Sequence, residues 1–271
     1  CIYCVKYVHG YKVRLRSVDN VLNEIDQLVS RFGIREIQIM DDVFTIYPER
    51  VKEFCRRLIA RRYKNLRFAL GGGIRADLGD QEMFDLLAQA GCYMAPIAVE
   101  SGSQETLNKV NKGLNLKMAQ STITMANQAG LRAPLFFIIG FPCETPDTMR
   151  KTIDVAKRLS VDQAHFFIAT PFPGTKFYEI VKNTGNFLTD LEIVSTNYEY
   201  GPPVYETDSL KAEQVERIYK RAQREFHFRS KYILWALTTS IVNFRIIPGL
   251  LRERLSVLFP RSNNANMSRK L

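Results

Sequence analysis

The chain has 271 residues, 46% of them hydrophobic and 24% charged, which is ordinary for a folded globular protein and excludes a disordered or fibrous one. This length can bury a sizeable core and suits one barrel-sized domain or two smaller ones. Five cysteines, an odd and scattered set, exclude a disulfide framework and favour a reducing, cytoplasmic location. The net charge is +10, and residues 211–271 carry most of it, with 13 Lys and Arg against four Asp and Glu.

The sequence opens with two closely spaced thiols in Cys1-Ile2-Tyr3-Cys4. This spacing allows a zinc knuckle, a redox pair, a ligand pair for an iron–sulfur cluster, a lipidated first cysteine or two unrelated thiols. The first residue is not Met, and no pattern of a signal peptide follows. We therefore expect the chain to be part of a longer polypeptide, and further ligands to lie before Cys1.

Helical and extended patterns alternate through residues 17–169. Ser17 is placed to cap a helix with apolar residues at three-and-four spacing, and Gly33 ends it. Pro48 and Pro146 are suited to the first position of later helices. The predicted helices are 18–32, a helix from 48, 80–90, 116–129 and a helix from 146. The predicted strands are 36–40, 66–70, 94–99, 134–139 and 164–169.

Five nearly continuous apolar strands that alternate with helices predict an α/β fold with a parallel sheet. Five predicted strands are too few for a closed eight-stranded barrel. An open or partial barrel fits, and on strand count alone so does a doubly wound sheet.

Polar residues and glycines follow each predicted strand, at the edge where parallel α/β folds bind ligands. Any one of these clusters could equally be a turn that caps the next helix. Five such clusters, each directly after a strand, together favour a ligand site that several strand ends build jointly. The candidate residues at this edge are Asp41, Asp42, Arg75, Glu100, Ser101, Gly140 and Glu144.

The last part of the chain is predicted to differ from the rest. We expect residues 181–209 to form an irregular connection, 210–260 a basic helical extension and 261–271 a disordered tail, after a barrel over 1–180. The apolar stretch Tyr232–Phe244 is too short to span a bilayer. Its basic flanks suit either peripheral contact with a membrane surface or a helix packed on the barrel.

Cys1 and Cys4, taken with the strand ends, resemble the C-x-x-x-C-x-x-C loop of the radical S-adenosylmethionine superfamily. The match covers about residues 1–180 and implies a partial (β/α)6 TIM-like barrel that lacks its first strand here. The resemblance makes Cys1 and Cys4 metal ligands, places the first cysteine of the motif four positions before Cys1, and makes Tyr3 a residue near the cluster or the adenine. The short sequence motifs most resemble those of the branch that carries an upstream cobalamin-binding domain. The stretches that carry this likeness are Arg16-Ser17, Asp41-Asp42-Val43-Phe44-Thr45, Ile74-Arg75-Ala76-Asp77, Glu100-Ser101-Gly102-Ser103, Lys112-Gly113 and Gly140-Phe141-Pro142.

The resemblance implies a 4Fe-4S cluster and S-adenosylmethionine, whose one-electron cleavage gives a 5′-deoxyadenosyl radical. It also implies a reductant such as flavodoxin or ferredoxin, and a carbon-rich substrate, either a small molecule or lipid-like. Methyl transfer or cyclisation with cobalamin bound upstream would fit. Within the family, the resemblance gives cofactor-binding roles to Asp41, Asp42, Glu100, Ser101, Gly140 and Glu144. Arg75 follows a run of glycines, and this position suits a carboxylate or phosphate contact of the cofactor and equally a structural salt bridge.

Three alternatives stay open from the sequence. A tRNA methylthiotransferase-like enzyme is disfavoured because no RNA-binding β module follows the barrel. An inactive barrel that binds membrane surfaces through its basic end is the second, and the 271 residues alone are expected to hold a cluster poorly with two thiolates. Nucleic-acid binding is the third, and it is disfavoured because few aromatic residues lie among the C-terminal charges.

Overall fold

The computed structural model describes residues 1–6, 10, 12–189, 201–230 and 232. Helices and strands alternate as the sequence predicts. The helices are α1 Val18–Phe32, α2 Pro48–Ala60, α3 Gln81–Gln89, α4 Gln104–Lys109, α5 Leu116–Gln128, α6 Pro146–Arg158, α7 Lys176–Thr184 and α8 Ala212–His227. The strands are β1 Glu36–Ile39, β2 Arg67–Leu70, β3 Ile74–Arg75, β4 Cys92–Met94, β5 Ile97–Glu100, β6 Leu135–Ile139, β7 Ala164–Ile168, β8 Gly185–Phe187 and β9 Tyr205–Thr207.

Local chemistry sets the helix ends. The Ser17 hydroxyl accepts a hydrogen bond from the Asn20 N–H, and Gly33 ends α1 in the left-handed region, as predicted. Pro48 is the first residue of α2. Thr145 caps α6 in a reciprocal bond pair with Thr148, ahead of Pro146.

The parallel strands form a three-stranded and a four-stranded sheet, and in each the strands follow chain order. β1 pairs with β2 and β2 with β4, while β3 pairs with β5, β5 with β6 and β6 with β7. β3 continues the path of β2, and β5 that of β4, after short interruptions. Five successive strand paths with no reversal of order match the partial barrel, and they are inconsistent with a doubly wound sheet.

Two apolar clusters lie within the described residues. The main core runs between the helices and the sheet, and α8 joins it, with the Phe226 ring 5.9 Å from that of Phe166 on β7. A smaller cluster lies at the carboxyl edge of the strands and is separate from it. This edge cluster is built on Phe141, Phe177, Val181 and Tyr205.

The weakly patterned region after Phe177 is more ordered than the sequence predicts. The Thr175 hydroxyl caps α7, and β8 pairs antiparallel with β9. The described part of the range 181–209 contains the end of α7 and the paired strands β8 and β9, while the predicted connection and its boundaries stay a prediction. The helix was missed because it has only nine residues, and the hairpin because its two strands pair across a long stretch of sequence.

The C-terminal predictions can be followed only in part. α8 begins near the predicted start of the basic extension and packs its apolar face on the core. Most of Tyr232–Phe244 and all of 261–271 lie outside the described residues. Within the part of the chain that the structure describes, no helix is both long and apolar enough to cross a membrane. The domain boundaries stay predictions.

Candidate functional site

The loop with Cys1 and Cys4 lies across the carboxyl ends of the strands. The Ile2 N–H donates to the Val110 carbonyl at 3.0 Å, and the Phe177 N–H donates to the Ile2 carbonyl at 3.0 Å. The loop is thereby held from both sides, by the end of α4 and the start of α7. Cys4 is exposed and Cys1 is half-buried, so both thiols are accessible to a ligand.

Tyr3 anchors this loop to the edge cluster. Its ring lies 5.2 Å from that of Phe141, and its hydroxyl is buried without a hydrogen-bond partner among the described residues. Burial raises the pKa of Tyr3 far above its usual range, and the negative charge of Glu100 adds to this shift. This buried hydroxyl lies beside the two thiols and near the Glu100 carboxylate, and it is a group that a bound ligand could satisfy.

Glu100 ends β5 in an unusual conformation and is almost fully buried. Its φ is +70°, a left-handed value that costs a non-glycine residue free energy. Its Oε1 accepts from the Lys112 Nζ at 2.7 Å, and Lys112 is buried as well. No role for the Lys112 side chain was predictable, because nothing in Lys112-Gly113 indicates that this side chain turns back to β5.

Arg75 presents a fixed cation near the Cys loop. Its guanidinium donates two hydrogen bonds to Asp77, at 2.9 and 2.7 Å, and these raise the pKa of Arg75. Tyr3 and Cys4 lie close enough to Arg75 to affect its pKa, which places Arg75 on the same side as the loop. A carboxylate or phosphate contact would have to share this guanidinium with Asp77.

Ser101 lies at the strand edge, but its hydroxyl faces the interior. It is within 3.2 Å of the Thr152 hydroxyl on α6 and accepts from the Ser103 N–H. Gly102 donates to the same Thr152 hydroxyl at 2.9 Å. The segment after β5 is thus fastened to α6, and the predicted cofactor contact of Ser101 stays a prediction.

Glu144 is buried beneath the turn that it follows. One carboxylate oxygen accepts from the Gly140 and Phe141 N–H groups at 2.8 and 3.1 Å, while the other has no partner among the described residues. Burial raises the pKa of Glu144 to about 7, against the opposing effect of these two hydrogen bonds and of the nearby Thr106 and Ser101 hydroxyls. Gly140 also accepts from the Tyr205 hydroxyl. In this arrangement Gly140 and Glu144 shape the turn that carries Phe141.

Asp41 and Asp42 form an exposed turn after β1. The Asp41 carbonyl lies against Gly72, so the first two strand ends approach each other closely. No described contact joins either carboxylate to the Cys loop, and their predicted role toward the methionyl amine stays a prediction.

The thiols on this loop are the right type of ligand for an iron–sulfur cluster, but the loop has only two of them. Cys1 and Cys4 are accessible thiols on one loop, beside the cation Arg75 and an orphan hydroxyl. Among the described residues, no group of three or more His, Cys, Asp or Glu side chains could hold a metal ion. The remaining cysteines are poor candidates: burial raises the pKa of Cys55 and of Cys92 to about 12, and burial also raises that of Cys143.

Comparison with known proteins agrees with this geometry. The model of the Radical SAM superfamily matches residues 1–156. An uncharacterised methyltransferase of Pyrococcus horikoshii is 29% identical over 93% of this chain and 54% of its own length. The cytidylyl-2-hydroxyethylphosphonate methyltransferase of Streptomyces wedmorensis is 29% identical over 84% of this chain and 44% of its own. The chain thus spans about half the length of these relatives.

A tRNA-2-methylthio-N(6)-dimethylallyladenosine synthase of Lachnoclostridium phytofermentans is 29% identical, but over only 65% of this chain and 40% of its own. Among solved structures, the radical S-adenosylmethionine methyltransferase TsrM of Kitasatospora setae, with cobalamin and a [4Fe-4S] cluster bound, superposes with a TM-score of 0.56. That match has 24% identity and covers 62% of this chain and 32% of the other, which supports the fold. With a family model that matches more than half of its residues, the chain belongs to the radical SAM superfamily.

Proposed function

We propose that this chain is the cluster- and S-adenosylmethionine-binding barrel of an enzyme that acts on a carbon-rich small molecule. The observation that carries the proposal is the Cys1–Cys4 loop, fixed across the strand ends by Val110 and Phe177. When bound, the cluster and S-adenosylmethionine supply a one-electron cleavage that gives methionine and a 5′-deoxyadenosyl radical.

Each residue near the loop has a definite part in this proposal. Cys1 and Cys4 would hold two irons of the cluster as thiolates. Arg75, fixed by Asp77, offers a cation to a carboxylate, and Tyr3 offers its orphan hydroxyl. The roles of Asp41, Asp42, Glu100, Ser101, Gly140 and Glu144 toward the cofactor are part of the same proposal.

Methyl transfer or cyclisation with cobalamin is the reaction type that we favour. The methyltransferase relatives match 84–93% of this chain, whereas the methylthiotransferase matches 65%. Two observations support a cobalamin requirement. The solved methyltransferase structure of similar fold contains bound cobalamin, and the sequence motifs resemble those of the cobalamin-binding branch. A tRNA methylthiotransferase-like activity is the second candidate, on the strength of that shorter match.

The reductant, the cellular location and the membrane contact are proposals of the same kind. A flavodoxin or ferredoxin would supply the electron, and a cytoplasmic location agrees with accessible thiols. Peripheral contact with a membrane would use the basic C-terminal stretch, which lies largely outside the described residues.

The test uses a form of the protein that also carries the first cysteine of the motif, reconstituted anaerobically with iron and sulfide. With reductant and S-adenosylmethionine, we expect 5′-deoxyadenosine by mass spectrometry, and its loss together with cluster absorbance in Cys4→Ala. Cys143→Ala is the matched control, because this half-buried thiol lies outside the Cys loop and should leave cluster absorbance intact. A fully loaded cluster without cleavage would contradict the proposal.

A further inference from the structure

A polar cleft of about 410 Å³ lies beside the Cys loop, and lysines from three separate elements line it. Lys6 comes two residues after Cys4, Lys109 is the last residue of α4, and Lys176 is the first residue of α7. Cys1 and Cys4 line the same cleft. The cleft therefore gives a partner access to the two thiols from a basic surface.

The charge of this surface is local. Residues 1–210 are close to neutral overall, yet no acidic residue is among the described residues that line the cleft. Glu105 bonds to Lys109 at 2.7 Å from one turn earlier in α4, and it screens that lysine in part. The N–H groups at the start of α7 add to the positive potential around Lys176.

We propose that Lys6, Lys109 and Lys176 form a docking surface for an acidic one-electron carrier protein, which would reduce the cluster held by Cys1 and Cys4. This inference rests on the proposed function. One electron leaves the reduced flavin or iron–sulfur centre of the carrier and enters the cluster, and no covalent bond forms or breaks. Electron transfer falls steeply with distance, so a carrier has to dock close to the exposed Cys4.

A protein fits this surface better than a small anion does. All three lysines are exposed at an open rim instead of converging in an enclosed pocket. Exposed charges of this kind act over a distance: they steer a partner of opposite charge and set its association rate, with a strong dependence on salt. A small anionic ligand would instead need desolvated donors that converge on it.

The first experiment measures binding without the cluster. The affinity of an acidic flavodoxin for the cluster-free protein is determined by calorimetry, at low and at physiological ionic strength. We expect the double variant Lys109→Glu and Lys176→Glu to bind about tenfold more weakly at low salt, and the wild type to lose affinity as salt rises. Equal affinity in both proteins would overturn the proposal.

The matched control is Lys117→Glu. Lys117 is exposed in the first turn of α5, as Lys176 is in α7, but it does not line the cleft. An acidic residue in a first turn is favourable to the helix at Lys117 and at Lys176. Lys109 instead ends α4 and bonds to Glu105, so the single variant Lys176→Glu is measured as well, and its loss of affinity cannot come from a disturbed α4. Lys117→Glu should leave flavodoxin affinity unchanged, and a loss equal to that of the double variant would contradict a local surface.

The second experiment compares two reductants on the reconstituted holoenzyme. The double variant should form 5′-deoxyadenosine about tenfold more slowly with flavodoxin and at the wild-type rate with reduced methyl viologen, a small cation. An equal loss with both reductants would overturn the docking surface in favour of a small anionic ligand in the cleft. No product from the wild type with either reductant would instead contradict the proposed function, while the binding result would still stand or fall on its own.

Discussion

Glu144 shows how one buried carboxyl group can hold a turn. Its single bonded oxygen satisfies the N–H groups of Gly140 and Phe141, and Phe141 packs on Tyr3 inside the Cys loop. The carboxyl group thus acts on the loop through two intermediates, by fixing the backbone beneath an aromatic contact. A neutral side chain of the same shape could do the same.

The raised pKa of Glu144 predicts a pH-dependent stability. A carboxyl group with a pKa of about 7 when folded and an ordinary, lower one when unfolded binds more protons in the folded state. Its contribution is complete at low pH and is lost as pH rises toward 7. As pH rises from 5 to 8, the free energy of unfolding of Glu144→Gln should therefore increase relative to that of the wild type. The linkage relation gives an increase of about a few kcal/mol.

Urea unfolding across this range checks the prediction, with Glu105→Gln as the control. Glu105 is exposed, and the hydrogen bond from Lys109 lowers its pKa, so it stays ionised throughout the window. Its variant should therefore follow the wild-type pH profile. Parallel profiles for all three proteins would show that Glu144 is ionised in the folded state over the whole range.

At the scale of elements, the segment after β5 depends on close contact with α6. A Cβ on Gly102 would lie 2.5 Å from the Lys151 carbonyl oxygen and 2.6 Å from the Thr152 Cα. Both are backbone atoms in the middle of a helix and cannot move aside. This contact allows the hydrogen bond from the Gly102 N–H to the Thr152 hydroxyl.

Gly102→Ala is therefore expected to destabilise the protein by about 3 kcal/mol, through overpacking against α6. Gly130→Ala is the comparison, because Gly130 has a positive φ of +80° and open space around it. Its cost should be about 1 kcal/mol, from conformation alone. Urea unfolding measures both, and a cost for Gly102→Ala no larger than for Gly130→Ala would rule out a rigid contact.

Most helices and parallel strands of the partial barrel were predictable from local sequence, because they have strong periodic patterns and clear capping residues. α1, with Ser17 and Gly33 at its ends, matches the prediction residue for residue. The directions of side chains in the turns were not predictable. Ser101 faces Thr152 and Glu100 faces Lys112, and both partners are distant in sequence or across a turn. The edge residues could be placed on one side of the sheet, but not their contacts.

At the scale of the whole molecule, the two apolar clusters stabilise different parts of the fold. The main core holds the sheet and helices together, whereas the edge cluster supports the Cys loop, with Phe177 fully buried between Phe141 and Tyr205. Their separation implies that the loop can open without unfolding of the barrel.

Phe177→Ala tests this division by hydrogen exchange. We expect a loss of about 3 kcal/mol of local stability, seen as faster amide exchange in residues 1–6 and 204–207, with β1 and β2 unchanged. Phe84→Ala, at a fully buried site in the main core, should speed exchange across the whole sheet instead. Faster exchange in β1 and β2 of the Phe177→Ala protein would indicate one cooperative unit.

The hydrogen bond between Phe177 and Ile2 also has a consequence for the order of assembly during synthesis. A ribosome makes Cys1 and Cys4 long before Phe177, and longer still before Tyr205, which bonds to the turn below the loop. The thiols therefore leave the exit tunnel well before their support exists. Under the proposed function, proteins that insert metal would meet a fixed pair of thiols only after translation has passed Phe177 and Tyr205, so the cluster would be loaded into the folded barrel and not into the nascent chain.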